Sequence, residues 1–352
     1  MTFFETAPRR KNPAGWIFLA VFIIAAGVGV LLPSGFVIER PGTSFDVNGE
    51  VSGVEVISVF GAESFESDTR LDVLTVSVLG NQDSTPGWLE IFLAWLDPEQ
   101  QILPVDEVFP PNMTTEEVRA ESVAMMESSQ QEAVAVALGE LGYELSYEIY
   151  ISMVTEGGAS SGVLVAGDFV KAVEGQTVST IEQLQELIQR SNGEPVEVEV
   201  QRDGEVLTRS ITPRLVEGRY LIGVMVGYTY DFPLEIELEL GNVGGPSGGM
   251  IFALGVFDKL TEGSLLNDYH IAGTGTISSA GNVGAIGGID LKMMAASRDG
   301  VDLFLAPREN CPDIISSQPE DLLVVPVADF TEALAAIEIY KEGSNAFPSC
   351  EN

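Results

Sequence analysis

Residues 244–249 read Gly-Gly-Pro-Ser-Gly-Gly and contain the pattern G-x-S-x-G, with Ser247 at its centre. Where this pattern serves catalysis, a strand leads into a tight turn that exposes the serine, and a helix follows. Here an alternating run, residues 234–240, precedes the turn and an apolar run, residues 250–257, follows it. The context favours a nucleophilic serine. A glycine-rich turn with an incidental serine is the alternative, and the presence of a base for Ser247 would decide between them.

Histidine is the first residue type to consider as that base, because it titrates near neutral pH. The chain has one histidine, His270, which lies just before a predicted strand over residues 271–277. The residues after Ser247 do not match the order of acid, then histidine, that α/β-hydrolases show. We therefore expect His270 to be a loop or strand-edge residue rather than the base.

Lysine is the second candidate. Lys292 lies in the first turn of a predicted helix, residues 290–298, directly after Gly287 and Gly288. A cation there opposes the helix dipole, so a stabilising role is a poor explanation for it. The dipole and the apolar neighbours would instead lower the pKa of the ammonium group, which suits a general base. The alternative is a side chain that reaches solvent from an ordinary amphipathic helix.

The turn around Ser247 also suits anion stabilisation. The serine precedes a helix of its own, and backbone amides at a helix N-terminus stabilise an oxyanion. The amides expected to do so here are those of Gly248 and Gly245.

Residues 143–227 show the signature of a small separate domain. Gly167 and Asp168 precede a predicted strand, a helix follows over residues 180–189, and two strands flank an Arg-Asp-Gly-Glu turn at residues 202–205. This order resembles that of PDZ domains, which bind an extended peptide at a sheet edge. A small α+β domain with only a packing role is the alternative, and the usual loop for a peptide carboxylate is not legible over residues 147–156.

The N-terminal part predicts a membrane anchor. Residues 16–32 are apolar and uncharged, and Arg9, Arg10 and Lys11 precede them. Basic flanks stay on the cytoplasmic side, so the bulk of the chain is expected outside the cytoplasm. A cleaved signal peptide is the rival interpretation, but no Ala-x-Ala site follows. The net charge of −36 excludes a phosphate-backbone binder, so nucleic acid is not an expected partner.

The only cysteines, Cys311 and Cys350, fall near the C-terminus. In an oxidising compartment such a pair predicts one disulfide, and two buried thiols are the alternative. With a single histidine, no Cys/His metal site is available, and no Walker loop is present for ATP. We expect neither a metal nor another cofactor.

Three blocks, residues 244–249, 273–277 and 284–296, together resemble the proteolytic domain of Lon-type serine proteases over about the last third of the chain. The resemblance places the nucleophile at Ser247, the general base at Lys292 and the threonine that orients the lysine at Thr274. One position departs from the family, since Gly244 stands where Lon proteins commonly have aspartate. The order of anchor, PDZ domain and Lon-type domain also resembles that of membrane-anchored bacterial PDZ-Lon proteins.

The resulting expectation is a mixed α/β (α+β) protein with five parts. They are a cytoplasmic tail (1–15), a transmembrane anchor (16–33), a membrane-proximal region (34–142), a PDZ-like domain (143–227) and a Lon-type domain (228–352). The expected function is that of an ATP-independent endopeptidase that acts on peptides or unfolded proteins outside the cytoplasm. The resemblance also implies that the chain can form a homo-oligomer. A catalytically silent PDZ scaffold with a Lon-like binding domain is the alternative.

Overall fold

The computed structural model describes residues 17, 18, 27, 29, 32–111, 113–241, 243–266 and 268–350. The cytoplasmic tail expected over residues 1–15 and almost all of the anchor expected over residues 16–33 lie outside these ranges. Within them, no helix has both the length and the apolar character needed to cross a bilayer.

The helices of the described ranges are α1 (Trp88–Trp95), α2 (Val105–Val108), α3 (Thr115–Glu140), α4 (Ile181–Arg190), α5 (Gly249–Lys259), α6 (Ile289–Arg298), α7 (Cys311–Ser317) and α8 (Phe330–Lys341). Two short 3-10 turns accompany them, Pro246–Gly248 and Arg308–Asn310.

The strands up to the end of the PDZ-like region are β1 (Phe36–Asp46), β2 (Glu50–Val51), β3 (Val54–Glu55), β4 (Ile57–Phe60), β5 (Arg70–Leu79), β6 (Gln101–Pro104), β7 (Ser146–Val154), β8 (Phe169–Val173), β9 (Gln176–Thr177), β10 (Val196–Arg202), β11 (Glu205–Ile211), β12 (Arg214–Val216), β13 (Arg219–Leu221) and β14 (Val224–Asp231). Those after it are β15 (Glu235–Leu238), β16 (His270–Gly273), β17 (Thr276–Ile277), β18 (Val283–Gly284), β19 (Leu303–Pro307) and β20 (Val324–Val327).

The larger unit is built on one mixed sheet with the strand order β20-β19-β16-β5-β1-β6. β5, β16, β19 and β20 run parallel, and β1 pairs antiparallel with both β5 and β6. Strands β1, β5 and β6 come from residues 34–142, whereas the other three come from residues 228–352. The two segments thus share one sheet, and residues 143–227 are inserted between them, which the division made from the sequence did not predict.

Helix α3 is packed across α5 on one side of this sheet. Its predicted capping box is confirmed: Glu117 N donates to Thr114 Oγ1 at 3.2 Å, and Thr114 N donates to the Glu117 carboxylate at 2.7 Å. Such reciprocal bonds satisfy amides that a helix start leaves free. The helices share a core in which Leu138 and Phe252 have no exposed surface. Helix α3 is therefore a rigid part of the unit that carries Ser247.

The inserted residues form a second sheet, β11-β10-β8-β7-β14, with its own core around Ile151, Val198 and Leu184. The predicted hairpin is β10 and β11, and its turn residues Asp203 and Gly204 both have positive φ, at 51° and 83°. That backbone is the type I′ geometry that the Asp-Gly pair predicts. The architecture agrees with the strand, helix and hairpin order expected of a PDZ domain.

The two units meet where β14 lies against α3. Tyr230 of β14 donates its hydroxyl to the Glu132 carboxylate at 3.2 Å. Burial raises the pKa of Glu132 to about 7, and nearby Glu182 acts in the same direction, whereas hydrogen bonds from Tyr230 and Ser279 oppose the shift. Glu132 lies one turn after Ser129, which contacts the turn that holds Ser247. The inserted domain therefore rests on the helix that positions the nucleophile.

The raised pKa predicts a pH-dependent stability. The folded state holds the Glu132 proton more tightly than the unfolded state, so this contribution is present at low pH and is lost as pH rises through about 7. Glu132→Gln should have the same melting temperature as the parent at pH 5. At pH 8 its melting temperature should be higher, by roughly 2–4 °C for each kcal/mol gained in the free energy of unfolding. Differential scanning calorimetry at both pH values, with exposed Glu140→Gln as the matched control on the same helix, measures this. Equal melting temperatures at pH 8 would contradict it.

Candidate active site

The turn that carries Ser247 is fixed from two sides. Gly245 has φ +88° and donates its amide to Ser122 O of α3 at 2.9 Å. Ser129 Oγ donates to Pro246 O at 2.9 Å. A Cβ on Gly249 would lie 2.5 Å from Ser129 Oγ. Only glycine allows so close an approach, which gives this part of the quoted motif a physical reason.

Lys292 reaches Ser247 from helix α6. Its Nζ lies 2.8 Å from Ser247 Oγ and 2.8 Å from Thr274 Oγ1. The lysine is 3 % exposed and Thr274 is fully buried. The structure thus brings together the three residues that the resemblance singled out, although they come from three separate segments of the chain. The alternative of a solvent-reaching Lys292 does not hold for a side chain that is buried to this degree.

Thr274 orients the pair through its hydroxyl group, which both donates and accepts a hydrogen bond. Its hydroxyl donates to Ser247 O at 3.0 Å, so the hydroxyl oxygen is left to accept a hydrogen bond from Lys292 Nζ. The next amide, Gly275 N, also donates to Ser247 O, at 2.8 Å. With one amine hydrogen directed to Thr274, the lone pair of a neutral Lys292 is free to face Ser247 Oγ. This is the arrangement that a general base requires.

Burial lowers the pKa of Lys292 to about 8. Transfer of a cation out of water disfavours the charged form, and no carboxylate lies within hydrogen-bonding distance of Nζ among the described residues to offset this cost. A substantial neutral fraction is therefore present at slightly alkaline pH. Neutral amine and bound hydroxyl are the two species needed to activate a serine.

The expectation for the oxyanion site needs one correction. The amide of Gly245 is engaged with Ser122 O inside the protein, so it is not directed at a substrate. Gly248 remains a candidate because it precedes α5, where the partial positive charge of the helix N-terminus is concentrated. A Cβ at this position would lie 3.0 Å from the Phe252 ring, so the backbone is packed closely there.

Gly244, the position that departs from the Lon pattern, faces helix α3. A Cβ on Gly244 would lie 3.0 Å from Ser122 Cβ. An aspartate there would need α3 or its own backbone to shift, because that distance is tighter than ordinary van der Waals contact. Position 244 in this chain is thus adapted to close approach of α3.

His270 has a different set of contacts. Its Nε2 lies 2.8 Å from Asp72 Oδ2, and Asp72 also forms an ion pair with Arg70 at 2.8 Å. The residue is the first of β16, as expected for a strand-edge histidine. Its ring nitrogen is paired with this carboxylate, whereas the partner of Ser247 Oγ is Lys292.

An open cleft of about 380 Å³ lies beside the Ser247 and Lys292 side chains. One wall is the outer part of β5, which pairs with β16 only over residues 70–73. Beyond residue 73, no strand in the described ranges pairs with that edge of β5. An extended peptide could add to this edge by backbone hydrogen bonds. The sequence did not predict this wall, because the alternating pattern of a strand does not show which of its two edges lacks a partner strand. The cleft is lined by Phe45, Val73, Leu74, Thr75, Val76, Ser77, Met126, Val243, Gly244, Ser247, Gly248, Gly287 and Lys292.

Cys311 and Cys350 form a disulfide, and no described cysteine is free. Cys350 packs against a cluster that includes Ile289 and Met293 of α6, the helix that carries Lys292. The disulfide therefore connects the C-terminal segment to the hydrophobic cluster that packs against α6, the helix of Lys292. In the described ranges, no group of three or more His, Cys, Asp or Glu side chains is arranged to hold a metal ion.

Thr274→Val tests the orienting role. Valine keeps the shape of the buried side chain but removes the hydroxyl that fixes Lys292 and Ser247 O. We expect kcat to fall by about 100-fold, the scale associated with misplacement of a reacting group by an ångström. KM and circular dichroism should stay close to those of the parent, and Thr274→Ser should restore most of the rate. Unchanged kcat in the valine variant would remove Thr274 from the site.

Comparison with known proteins supports both domain assignments. Residues 239–337 match the Lon protease (S16) C-terminal proteolytic domain, and residues 151–202 match a PDZ domain. The Lon protease of Roseiflexus castenholzii is 40% identical over 116 residues, which are 32% of this chain and 14% of that protein. The Lon protease of Aster yellows witches'-broom phytoplasma is 32% identical over 111 residues, 30% of this chain and 14% of that protein.

The matched region thus spans about one seventh of the length of these relatives, 14% in each case. Among solved structures, the PDZ domain of the SdrC-like protein from Listeria monocytogenes is 18% identical, with a TM-score of 0.21. That alignment covers 22% of this chain and 85% of the PDZ domain. The family matches confirm the predicted domain types: the chain contains a PDZ domain and, after it, a Lon (S16) proteolytic domain, which is a domain type of serine peptidases.

Proposed function

We propose that this protein is a membrane-anchored, ATP-independent serine endopeptidase that cleaves peptides or unfolded protein segments outside the cytoplasm. The observation that carries the proposal is the distance of 2.8 Å between Lys292 Nζ and Ser247 Oγ in a buried site. A buried amine with a lowered pKa, held against a serine hydroxyl, is the arrangement of an activated nucleophile.

The reaction follows from these contacts. Neutral Lys292 accepts the Ser247 hydroxyl proton as Oγ bonds to the substrate carbonyl carbon, and the carbonyl oxygen becomes an oxyanion near the start of α5. The Lys292 ammonium then donates its proton to the departing amine, so the peptide C–N bond breaks and an acyl ester on Ser247 remains. A water molecule repeats the sequence: it gives a proton to Lys292, attacks the ester and releases the acid, and the proton returns to Ser247.

The shape of the cleft supports an unfolded substrate. Its volume of about 380 Å³ fits a few side chains, and the free edge of β5 suits an extended backbone. A folded domain presents few such segments. The PDZ domain would deliver substrates, because such domains bind extended peptides. We further propose that copies of the chain associate into a homo-oligomer, as the resemblance to Lon-type domains implies.

Two observations support a site outside the cytoplasm. Residues 16–32 are apolar and uncharged and follow three basic residues, which is typical of an anchor with a cytoplasmic N-terminus. The disulfide between Cys311 and Cys350 suits an oxidising compartment, because cytosolic reductants oppose structural disulfides.

The test compares the cleavage of one substrate protein in its unfolded and in its native form, without ATP. The purified full-length protein should cleave permanently unfolded, reduced and alkylated protein, and ATP with Mg²⁺ should not change the rate. The same substrate in its native, disulfide-bonded form should resist. Ser247→Ala is the matched inactive control. Absence of cleavage in all conditions, together with no reaction of Ser247 with a fluorophosphonate, would support a silent scaffold instead.

A further inference from the structure

Helix α1 exposes an unusually apolar surface. Its sequence is Trp-Leu-Glu-Ile-Phe-Leu-Ala-Trp, and its outer residues are exposed by about half or more. A water-facing helix normally places charged or polar groups there. Clustered exposed apolar residues of this kind mark an interaction surface. We call this surface the α1 face, and it consists of Trp88, Leu89, Phe92, Leu93, Trp95 and Leu96.

The helix is firmly held on its other side, so the exposure is not a consequence of loose packing. Ile91 and Ala94 are buried in a small cluster with Ile38 of β1. The one charged residue, Glu90, accepts the Gly87 amide at 2.8 Å and so caps the helix start. The α1 face therefore projects outward in a fixed orientation.

The α1 face lies where the chain leaves its apolar N-terminal run. Pro33 forms a β-bridge with Gly87, the residue before the helix. Ser34 also donates its amide and its hydroxyl to Pro86 O, at 3.1 Å and 2.7 Å. If residues 16–32 cross a bilayer, the helix cannot be far from the surface of that bilayer.

The composition of the face selects among possible occupants. It has no lysine or arginine, and the chain carries a net charge of −36, so attraction to anionic lipid headgroups does not operate. Tryptophan at both ends of a largely apolar helix is typical of the membrane interface, where an apolar ring body and a polar N–H are both accommodated. The neighbouring end of β5 adds one more exposed apolar side chain, Leu79, which is the register partner of Ile38 and so lies on the face of the sheet that α1 covers.

We propose that the α1 face is an interfacial membrane-binding surface that lies in the boundary region of the bilayer in which the chain is anchored. The inference rests on the anchor included in the proposed function. Two attachments, the anchor and α1, would hold the sheet of the catalytic unit in one orientation on the membrane. The end of β5 that carries Leu79 is continuous with the part of the strand that lines the active-site cleft, because that part ends at Ser77, two residues or about 7 Å from Leu79.

Tryptophan fluorescence tests this directly, since the chain has only Trp16, Trp88 and Trp95. In full-length Trp16→Phe protein, both remaining tryptophans belong to α1. The protein is reconstituted into phosphatidylcholine vesicles with or without brominated acyl chains. We expect a blue-shifted emission maximum and at least a twofold loss of intensity with the brominated lipid. Phe92→Glu with Leu93→Glu should abolish both effects, whereas Leu215→Glu with Val216→Glu, at exposed positions of the PDZ domain, should leave them unchanged.

Each outcome separates α1 from the anchor. Vesicle association without quenching overturns the proposal. If the emission is also blue-shifted, the α1 face is covered by protein instead of lipid, either by residues 16–32 or by a second copy of the chain. Quenching in the parent together with loss of vesicle association in the Phe92/Leu93 variant supports α1 and contradicts the anchor. Failure of the parent to associate overturns both. Fluorophosphonate labelling of Ser247 in the same samples reports on the peptidase separately.

Discussion

Lys292→Met is expected to reduce kcat/KM for peptide cleavage by roughly 10⁴-fold or more, as is Ser247→Ala, because a nucleophile and its base act as one unit. Methionine is unbranched, only one heavy atom shorter than lysine, and suits the apolar surroundings, so the fold should be kept. Neither variant can form the acyl ester at an appreciable rate. The double variant should be little slower than either single variant, since the second substitution removes a function already lost.

The measurement is steady-state hydrolysis of a fluorogenic peptide, with thermal unfolding to verify the fold. Lys341→Met is the matched control, because Lys341 is an exposed lysine on α8. It should retain full activity. Retention of more than about a hundredth of the parent activity in Lys292→Met would contradict the assigned base, since a general base contributes at least about 100-fold. Loss of activity in the control would show that the effect is not specific to Lys292.

Cys311→Ser with Cys350→Ser should lower the free energy of unfolding by about 4 kcal/mol, the chain-entropy value for a loop of 39 residues. The bond limits the unfolded chain, and it also holds the C-terminal segment against the cluster beneath α6. Urea unfolding of the parent and the variant, both without reductant, measures the difference. The parent with reductant should approach the variant. A difference below about 1 kcal/mol would mean that packing alone fixes the segment.

Local patterns account for what the sequence predicted well. The Thr114 and Glu117 capping box, the Asp203-Gly204 hairpin turn and the glycine-rich turn at Ser247 each depend on residues a few positions apart. The lysine was found because a cation at a helix start among apolar neighbours conflicts with ordinary stability. The orienting threonine came from the resemblance alone.

Long-range pairing accounts for what the sequence did not predict. β5 lies beside β16, with about 200 residues and the whole PDZ domain between them in the chain, and neither strand carries a local sign of its partner. The same applies to α3: its capping box identifies a helix, but nothing in the sequence places Ser122 and Ser129 against the turn at Ser247. For that reason the expectation that the Gly245 amide serves the oxyanion was wrong.

The central claim is that Lys292 is the base for Ser247, and the pH dependence of Ser247 acylation tests it most directly. The neutral amine is the reactive form, so the second-order rate of fluorophosphonate labelling should rise with pH through an apparent pKa of about 8 and then level off. His270→Gln should leave this profile unchanged, and Lys292→Met should abolish labelling at every pH. A profile that levels off near pH 6.5 in the parent, as expected for an unperturbed histidine, and that disappears in His270→Gln would contradict the account.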